Sequence, residues 1–184
     1  MKILIDIDST LIESIQMLVK IYNDHNKYNT LTYTPNHGWN VEEIIQDKCE
    51  LKDLFQYFDH EDFYSNKYIH FTYGAREVIN RLSKSYKVVF CSKHNESRKP
   101  VTSKFIKETF PKAELIFVDN FEDKKKIPCD IIIDDKPECM LDALADYKIC
   151  FGNYKWNQDW DGVRVTNWTV IEGIIKILEI IDGE

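Results

Sequence analysis

Two short strings concentrate the residues that could do chemistry. In Asp6-Ile7-Asp8-Ser9-Thr10-Leu11, two carboxylates stand two residues apart where an apolar run stops, and hydroxyls follow. In Ile131-Ile132-Ile133-Asp134-Asp135, another apolar run ends in two adjacent acids. A lone Asp-x-Asp reads more readily as a helix N-cap or an acidic turn. The two strings together read differently. If both runs are neighbouring strands of a parallel sheet, up to four carboxylates converge at the carboxyl ends, where such sheets bind ligands. Like charges a few ångströms apart resist ionisation, so the cluster calls for a cation. A hard divalent metal fits, and Mg²⁺ prefers a few carboxylates with water and phosphate completing its octahedron.

Two further residues suit the same chemistry. Ser92 follows the apolar run Val88-Val89-Phe90-Cys91, and Lys124 follows Asp123 shortly before the Asp130 run. Alone, Ser92 reads as a helix cap, and Lys124-Lys125-Lys126 as a solvated basic loop. With the acids, four strand ends offer a nucleophile, an acid, phosphate ligands and metal ligands.

Periodicity supplies the elements that would position them. Apolar, β-branched runs at residues 3–7, 87–91, 114–118, 130–133 and 148–151 predict strands. Between them, apolar residues at three- and four-residue spacing predict helices at 77–82, 104–110, 137–145 and 169–181. Strands apolar on successive residues suit a sheet covered on both faces, so the expected class is α/β, a Rossmann-like parallel sheet flanked by helices. The alternation fails once: 79 residues separate the run at 3–7 from that at 87–91, and about sixty of them read as an insertion. Helical patterns there, at 11–23, 41–47 and 51–58 around a loop at 35–38, predict a small inserted cap. The expected division is a core of residues 1–13 and 73–184 with a cap of 14–72.

Composition narrows the setting. The 184 residues carry 24 Lys and Arg against 31 Asp and Glu, a net charge of −7, which argues against a surface that coats duplex nucleic acid. The longest greasy stretch, 171–181, is interrupted by Glu172, Lys176 and Glu179, so no membrane span is expected. The first residues enter a strand-like run without a signal-peptide pattern, and export is not expected. Five scattered cysteines without C-x-x-C spacing suit buried thiols better than disulfides or zinc, and point to the cytoplasm.

The order Asp6-x-Asp8-x-Thr10, Ser92 after a strand, a lysine, then Asp134-Asp135 resembles the four motifs of the haloacid-dehalogenase-like (HAD) phosphohydrolases. Within them the chain is most similar to the 5'(3')-deoxyribonucleotidases, on the strings Gly74-Ala75, Ile133-Asp134-Asp135-Lys136-Pro137, Asn153-Tyr154-Lys155-Trp156-Asn157 and Val165-Thr166-Asn167-Trp168. Family members commonly carry Gly-Val where Ser9-Thr10 stands, and Thr where Ser92 stands.

The resemblance implies a HAD-type core with a helical cap after the first strand, and a phosphomonoesterase acting on deoxyribonucleoside monophosphates. Asp6 would attack phosphorus and become an aspartyl-phosphate. Asp8 would protonate the leaving alkoxide and then deprotonate water, which requires its pKa to be raised, with nearby Asp carboxylates as the cause. Mg²⁺ would be held by Asp6, the Asp8 backbone carbonyl and Asp134, with Asp135 acting through water or hydrogen bonds. Ser92 and Lys124 would bind phosphate, Lys124 being preferred over Lys125 and Lys126 by its distance from Asp130. The cap would close over the leaving group with some of Tyr33, Trp39, Phe55, Tyr57, Phe58, Phe63 and Tyr64. His37 and Trp39 are the specificity candidates, while Trp156 and Trp168 read as packing residues. The expected partner is a small nucleoside monophosphate, and a homodimer is left open. Rival substrates are a sugar phosphate or a polynucleotide 3'-phosphate, and a retired nucleotide-binding protein is a third alternative. A signalling receiver domain shares these residue types but carries its phosphoacceptor on a later strand.

Overall fold

The computed structural model describes residues 1–34, 42–45 and 48–182. Six strands form one parallel sheet: β1 (Lys2–Ile5), β2 (Lys87–Ser92), β3 (Glu114–Phe117), β4 (Cys129–Asp134), β5 (Ala145–Phe151) and β6 (Val163–Val165), in the order β3-β2-β1-β4-β5-β6. The chain winds outward from β1 through β2 to β3, then crosses to β4 on the other side. That reversal opens a crevice at the carboxyl ends of β1, β2 and β4. Register aligns them, with Ile5 opposite both Phe90 and Ile133.

The strand sequences explain why both faces are covered. Ile3 and Ile5 of β1 pack with Val88, Phe90, Ile131 and Ile133 in one core. Leu4 points the other way and packs with Val89, Cys91, Ile132 and Cys150 in a second. Successive side chains alternate faces, so only a strand apolar at every position satisfies both layers. The five cysteines are free. Burial pushes the Cys91 and Cys150 thiols up to about 12, away from reactivity.

Among the described residues seven α-helices accompany the sheet: α1 (Ser14–His25), α2 (Glu42–Ile45), α3 (Leu51–Phe55), α4 (Ala75–Leu82), α5 (Arg98–Thr109), α6 (Pro137–Met140) and α7 (Trp168–Asp182). The first three, with 3₁₀ turns at Gln56–Asp59 and Glu61–Tyr64, lie between β1 and α4. Two expectations need correction. The helix expected over 137–145 stops after Met140, because Asp142 adopts a left-handed φ of 58° and Leu144 leaves to donate its N–H to the Lys125 carbonyl. The helix expected from 104 begins at Arg98, with Pro100 in its first turn, where no intrahelical N–H is lost. His37 and Trp39 lie outside the described residues, as does the loop at 35–38. Among the described residues no helix is long and apolar enough to cross a membrane.

Candidate active site

Parallel pairing carries the acids together. Asp6 leaves β1 donating its N–H to the Ile133 carbonyl (2.9 Å), one residue before Asp134. The carboxylates of Asp6, Asp134 and Asp135 offer oxygens within 4.8 Å of one another, all buried. Lys124 enters this cluster from a 3₁₀ turn, Phe121–Lys126, whose start is held by Asn120 and Asp123 in a capping box. Its ammonium is 2.5 Å from Asp6 Oδ1 and 2.8 Å from Asp134 Oδ2. Lys126, by contrast, is exposed and pairs with Asp123. Ser92, also buried, sits at the end of β2 facing the same cavity.

Charge does not balance here. Three carboxylates face one ammonium, and burial with the Asp134 and Asp8 charges pushes Asp6 up to about 7 against the pull of Lys124. Burial, reinforced by Asp134 and Asp6, raises Asp135 well above the carboxylate range. Burial opposes the charge on Lys124, yet Asp134 and Asp6 hold its pKa well above normal. An all-oxygen donor set with two negative charges left over matches a hard divalent cation such as Mg²⁺. Its members are already fixed: Asp134 Oδ1 accepts from the Lys136 N–H (2.9 Å), and Asp135 accepts from Trp156 Nε1 (2.8 Å). Trp156 therefore does more than pack, since its indole orients an acid while its ring stacks on Tyr154 at 4.5 Å.

The loop between Asp6 and α1 is held by distant residues. Tyr154 donates its hydroxyl proton to the Ser9 carbonyl (2.9 Å), and Trp168 Nε1 and the Thr72 hydroxyl donate to the Thr10 carbonyl (3.2 and 2.7 Å). Ser9 adopts φ 61°, a left-handed conformation that glycine enters without strain.

Asp8 departs from expectation. Its carboxylate does not join the other three; Arg98 grips it with two hydrogen bonds of 2.8 and 2.7 Å and His94 Nε2 lies 3.2 Å away. Despite burial, these partners hold its pKa far below the ordinary carboxylate value, whereas the acid role had implied a raised one. The Asp neighbours do not govern it, because a bidentate guanidinium outweighs them.

Arg98 and His94, which the sequence reading missed, close a ring of hydrogen bonds. Arg98 Nη2 donates to the Tyr64 hydroxyl oxygen (3.2 Å), Tyr64 and Thr102 Oγ1 are 2.8 Å apart, and Thr102 Oγ1 and His94 Nδ1 are 3.1 Å apart. An ionised Asp8 only accepts and Arg98 only donates, so His94 donates its Nε2–H to Asp8 and the Tyr64 oxygen accepts from Arg98. The Tyr64–Thr102 and Thr102–His94 hydrogen bonds link the two ends. Burial pushes the His94 pKa down. Asn95 Oδ1 accepting from the Arg98 N–H (3.1 Å), with Pro100 following, is the sequence signal that could have started the helix there.

Asp6, Asp8, Asp135, Ser92, Arg98 and Lys124 line a cavity of about 200 Å³, to which Ile15, Leu18, Phe55 and Phe58 add apolar surface. Carboxylates, a buried cation and an apolar recess together suit transfer of an anionic group from a partly apolar molecule.

Comparison with known proteins agrees with this chemistry. The family model described as "5' nucleotidase, deoxy (Pyrimidine), cytosolic type C protein" matches residues 1–180. A comparison with curated proteins found no match. Among solved structures, a conserved haloacid dehalogenase-like protein from Agrobacterium tumefaciens superposes with a TM-score of 0.60 at 10% identity, covering 96% of this chain and 98% of its own. A HAD-superfamily hydrolase of subfamily IA from Geobacter sulfurreducens gives 0.57 at 13%, covering 96% and 95%. The HAD-hydrolase YfnB from Bacillus subtilis, bound to magnesium, gives 0.55 at 12%, covering 95% and 97%. At such identities the likeness shows the fold, an α/β sheet of HAD type.

Proposed function

The chain belongs to the family of cytosolic type C deoxy (pyrimidine) 5'-nucleotidases within the HAD phosphohydrolases, and from that premise we propose that it hydrolyses deoxyribonucleoside monophosphates to nucleoside and phosphate. The observation that carries the reading is the convergence of Asp6, Asp134, Asp135 and Lys124 beside a recess lined by Phe55 and Phe58. Phosphoryl charge belongs at the first set and a nucleobase at the second. A recess of about 200 Å³ suits a small substrate better than a polynucleotide.

Asp6 is the nucleophile: its oxygen bonds to phosphorus as the phosphorus–alkoxide bond breaks. Lys124 and the Ser92 hydroxyl donate to the phosphoryl oxygens, and Lys124 also keeps the Asp6 oxygen in place. Asp6, the Asp8 carbonyl and Asp134 would hold Mg²⁺, with Asp135 in support, and the ion would supply charge stabilisation on the phosphoryl oxygens. Asp8 gives its proton to the departing alkoxide and then takes one from the water that cleaves the aspartyl-phosphate. Ionised as Arg98 and His94 hold it, Asp8 is ready for the water step; taking up the proton needed for the first step requires that grip to loosen as substrate enters. Residues 14–72 act as the cap.

The test is phosphate release from deoxy- and ribonucleoside 5'- and 3'-monophosphates, sugar phosphates and an aryl phosphate, with Mg²⁺ or with EDTA. Turnover on deoxynucleotides, abolished by EDTA and reduced at least about 10³-fold in Asp6→Asn, is expected. Activity on the aryl phosphate alone would discard the substrate, and unchanged activity in Asp6→Asn would discard the nucleophile.

A further inference from the structure

Arg98 is an odd residue to find buried at a cavity wall. Its side chain is 6% exposed, and its Nε has no hydrogen-bond partner. The guanidinium carbon lies 4.1 Å from the centre of the Phe58 ring and 5.2 Å from that of Phe63, so aromatic faces cover the cation. A buried ion pair adds little to stability, and apolar residues of similar volume generally do as well or better. Such a pair is therefore better explained by what it positions.

What it positions is Asp8. Two parallel hydrogen bonds fix both the distance and the plane of that carboxylate, which a single ammonium would not. Arg98 and Thr102 lie one helical turn apart on α5, in the body of the fold. Phe58, Phe63 and Tyr64 come from the segment between β1 and β2. The Tyr64 hydroxyl bridges the two halves, accepting a hydrogen bond from Arg98 Nη2 and sharing another with the Thr102 hydroxyl. Tyr64 also stacks on Phe105 of α5, with ring centres 4.2 Å apart. Seating that segment completes the ring around Asp8, and lifting it would uncover the guanidinium and break the ring at Tyr64.

We infer that Arg98 is a positioning residue through which the seated helical segment sets the Asp8 carboxylate for attack by water on the phosphorylated Asp6. The inference rests on the function proposed above and adds the link between segment and carboxylate. In the step concerned, the water oxygen bonds to phosphorus, the bond from phosphorus to the Asp6 oxygen breaks, and the water proton passes to Asp8. Arg98 touches none of the reacting atoms.

An aryl phosphate separates this step from the first, because a phenolate leaves with little help from an acid. In Arg98→Met, formation of the aspartyl-phosphate should survive while its hydrolysis slows about 10²-fold. Stopped-flow records should then show a burst of phenolate approaching one equivalent per chain, followed by a steady state with kcat down about 10²-fold. The Mg²⁺ dependence of the melting temperature should match the wild type. Arg98→Lys should recover part of the rate, and guanidinium ion should accelerate Arg98→Ala. Tyr64→Phe, which keeps the ring stacking and removes one hydroxyl, should show the same burst with a smaller loss and serves if the Arg98 variants do not fold.

Unchanged kcat in Arg98→Met, or in Tyr64→Phe where only that variant folds, would overturn the inference. So would a fall in kcat without a burst, which would place the defect at the first step. A wild type inactive on every phosphate monoester would instead overturn the proposed function.

Discussion

Three acids around one lysine make the stability of the metal-free protein depend on pH in an uncommon sense. Burial pushes Asp6 up to about 7, whereas an aspartate in an unfolded chain titrates near ~3.9. Between those values the folded chain keeps a proton that the unfolded chain has released. Stability therefore falls as pH rises, and the loss is complete once the pH passes the folded value. One such group changes stability by roughly 1.4 kcal/mol per pH unit, or on the order of 3 kcal/mol over the window. For a chain of this length that is roughly 5–10 °C in melting temperature. His94 acts oppositely: burial lowers its pKa, so below about 6.5 the unfolded state holds the extra proton and stability rises with pH.

The quantity to measure is accordingly the difference between the wild type and Asp6→Asn, in which the His94 contribution cancels. Thermal melts followed by circular dichroism, in metal-stripped buffer from about pH 5 to about pH 8, should show the wild type losing roughly 5–10 °C relative to the variant. If the ionised acids hold Mg²⁺ as proposed, its stabilisation should grow with pH, reaching about 2.7 kcal/mol at a hundredfold excess over Kd. A wild-type-minus-variant difference that stays flat or increases with pH would refute the reasoning, since Asp6 would then be ionised throughout and burial would not govern it.

Two backbone positions give further tests. Gly152 has φ 82°, and a Cβ there would overlap the Tyr154 ring; Gly152→Ala should cost about 2 kcal/mol or more in urea unfolding, and should lower activity because Tyr154 holds the Ser9 carbonyl. Ser9→Gly should do the reverse, raising the unfolding free energy measured in urea by up to about 1 kcal/mol by relieving φ 61° while leaving kcat unaltered.

Much of the fold was legible because strand patterns report on themselves. Five of six strands announce themselves as apolar runs, since a parallel sheet buried on both faces admits little else. The sixth, Val163–Val165, is three residues long with Arg164 at its centre, too short for any periodicity. The ends of β1 and β4 were legible as sites for the same reason, since acids directly after such runs have few other uses. The strings that carried the resemblance, Tyr154 to Asn157 and Trp168, also acquire physical reasons: they hold the Ser9 and Thr10 carbonyls and orient Asp135.

Arg98 and His94 were not legible, nor was the contact of Tyr64 with Arg98, and the cause is geometric. Each contacts Asp8 or its partner across 34 to 90 residues of chain, and each stands in a stretch whose local pattern is that of a polar loop or a generic aromatic cluster. A strand end predicts which residues share a rim; it does not predict which side chain of a facing helix leans over that rim. The missed residues also reversed one expectation. Asp carboxylates nearby had suggested a proton-holding Asp8, but those carboxylates gather on Lys124 while Asp8 turns to a bidentate guanidinium, and direction decided the matter over proximity. The two aspartates of one Asp-x-Asp string thus occupy opposite electrostatic settings, Asp6 pushed up and Asp8 held down. Residues two apart on an extended segment point to the same side but, once the segment curls after β1, need not share neighbours. Under the proposed function, that separation lets one string supply both a nucleophile and a proton carrier.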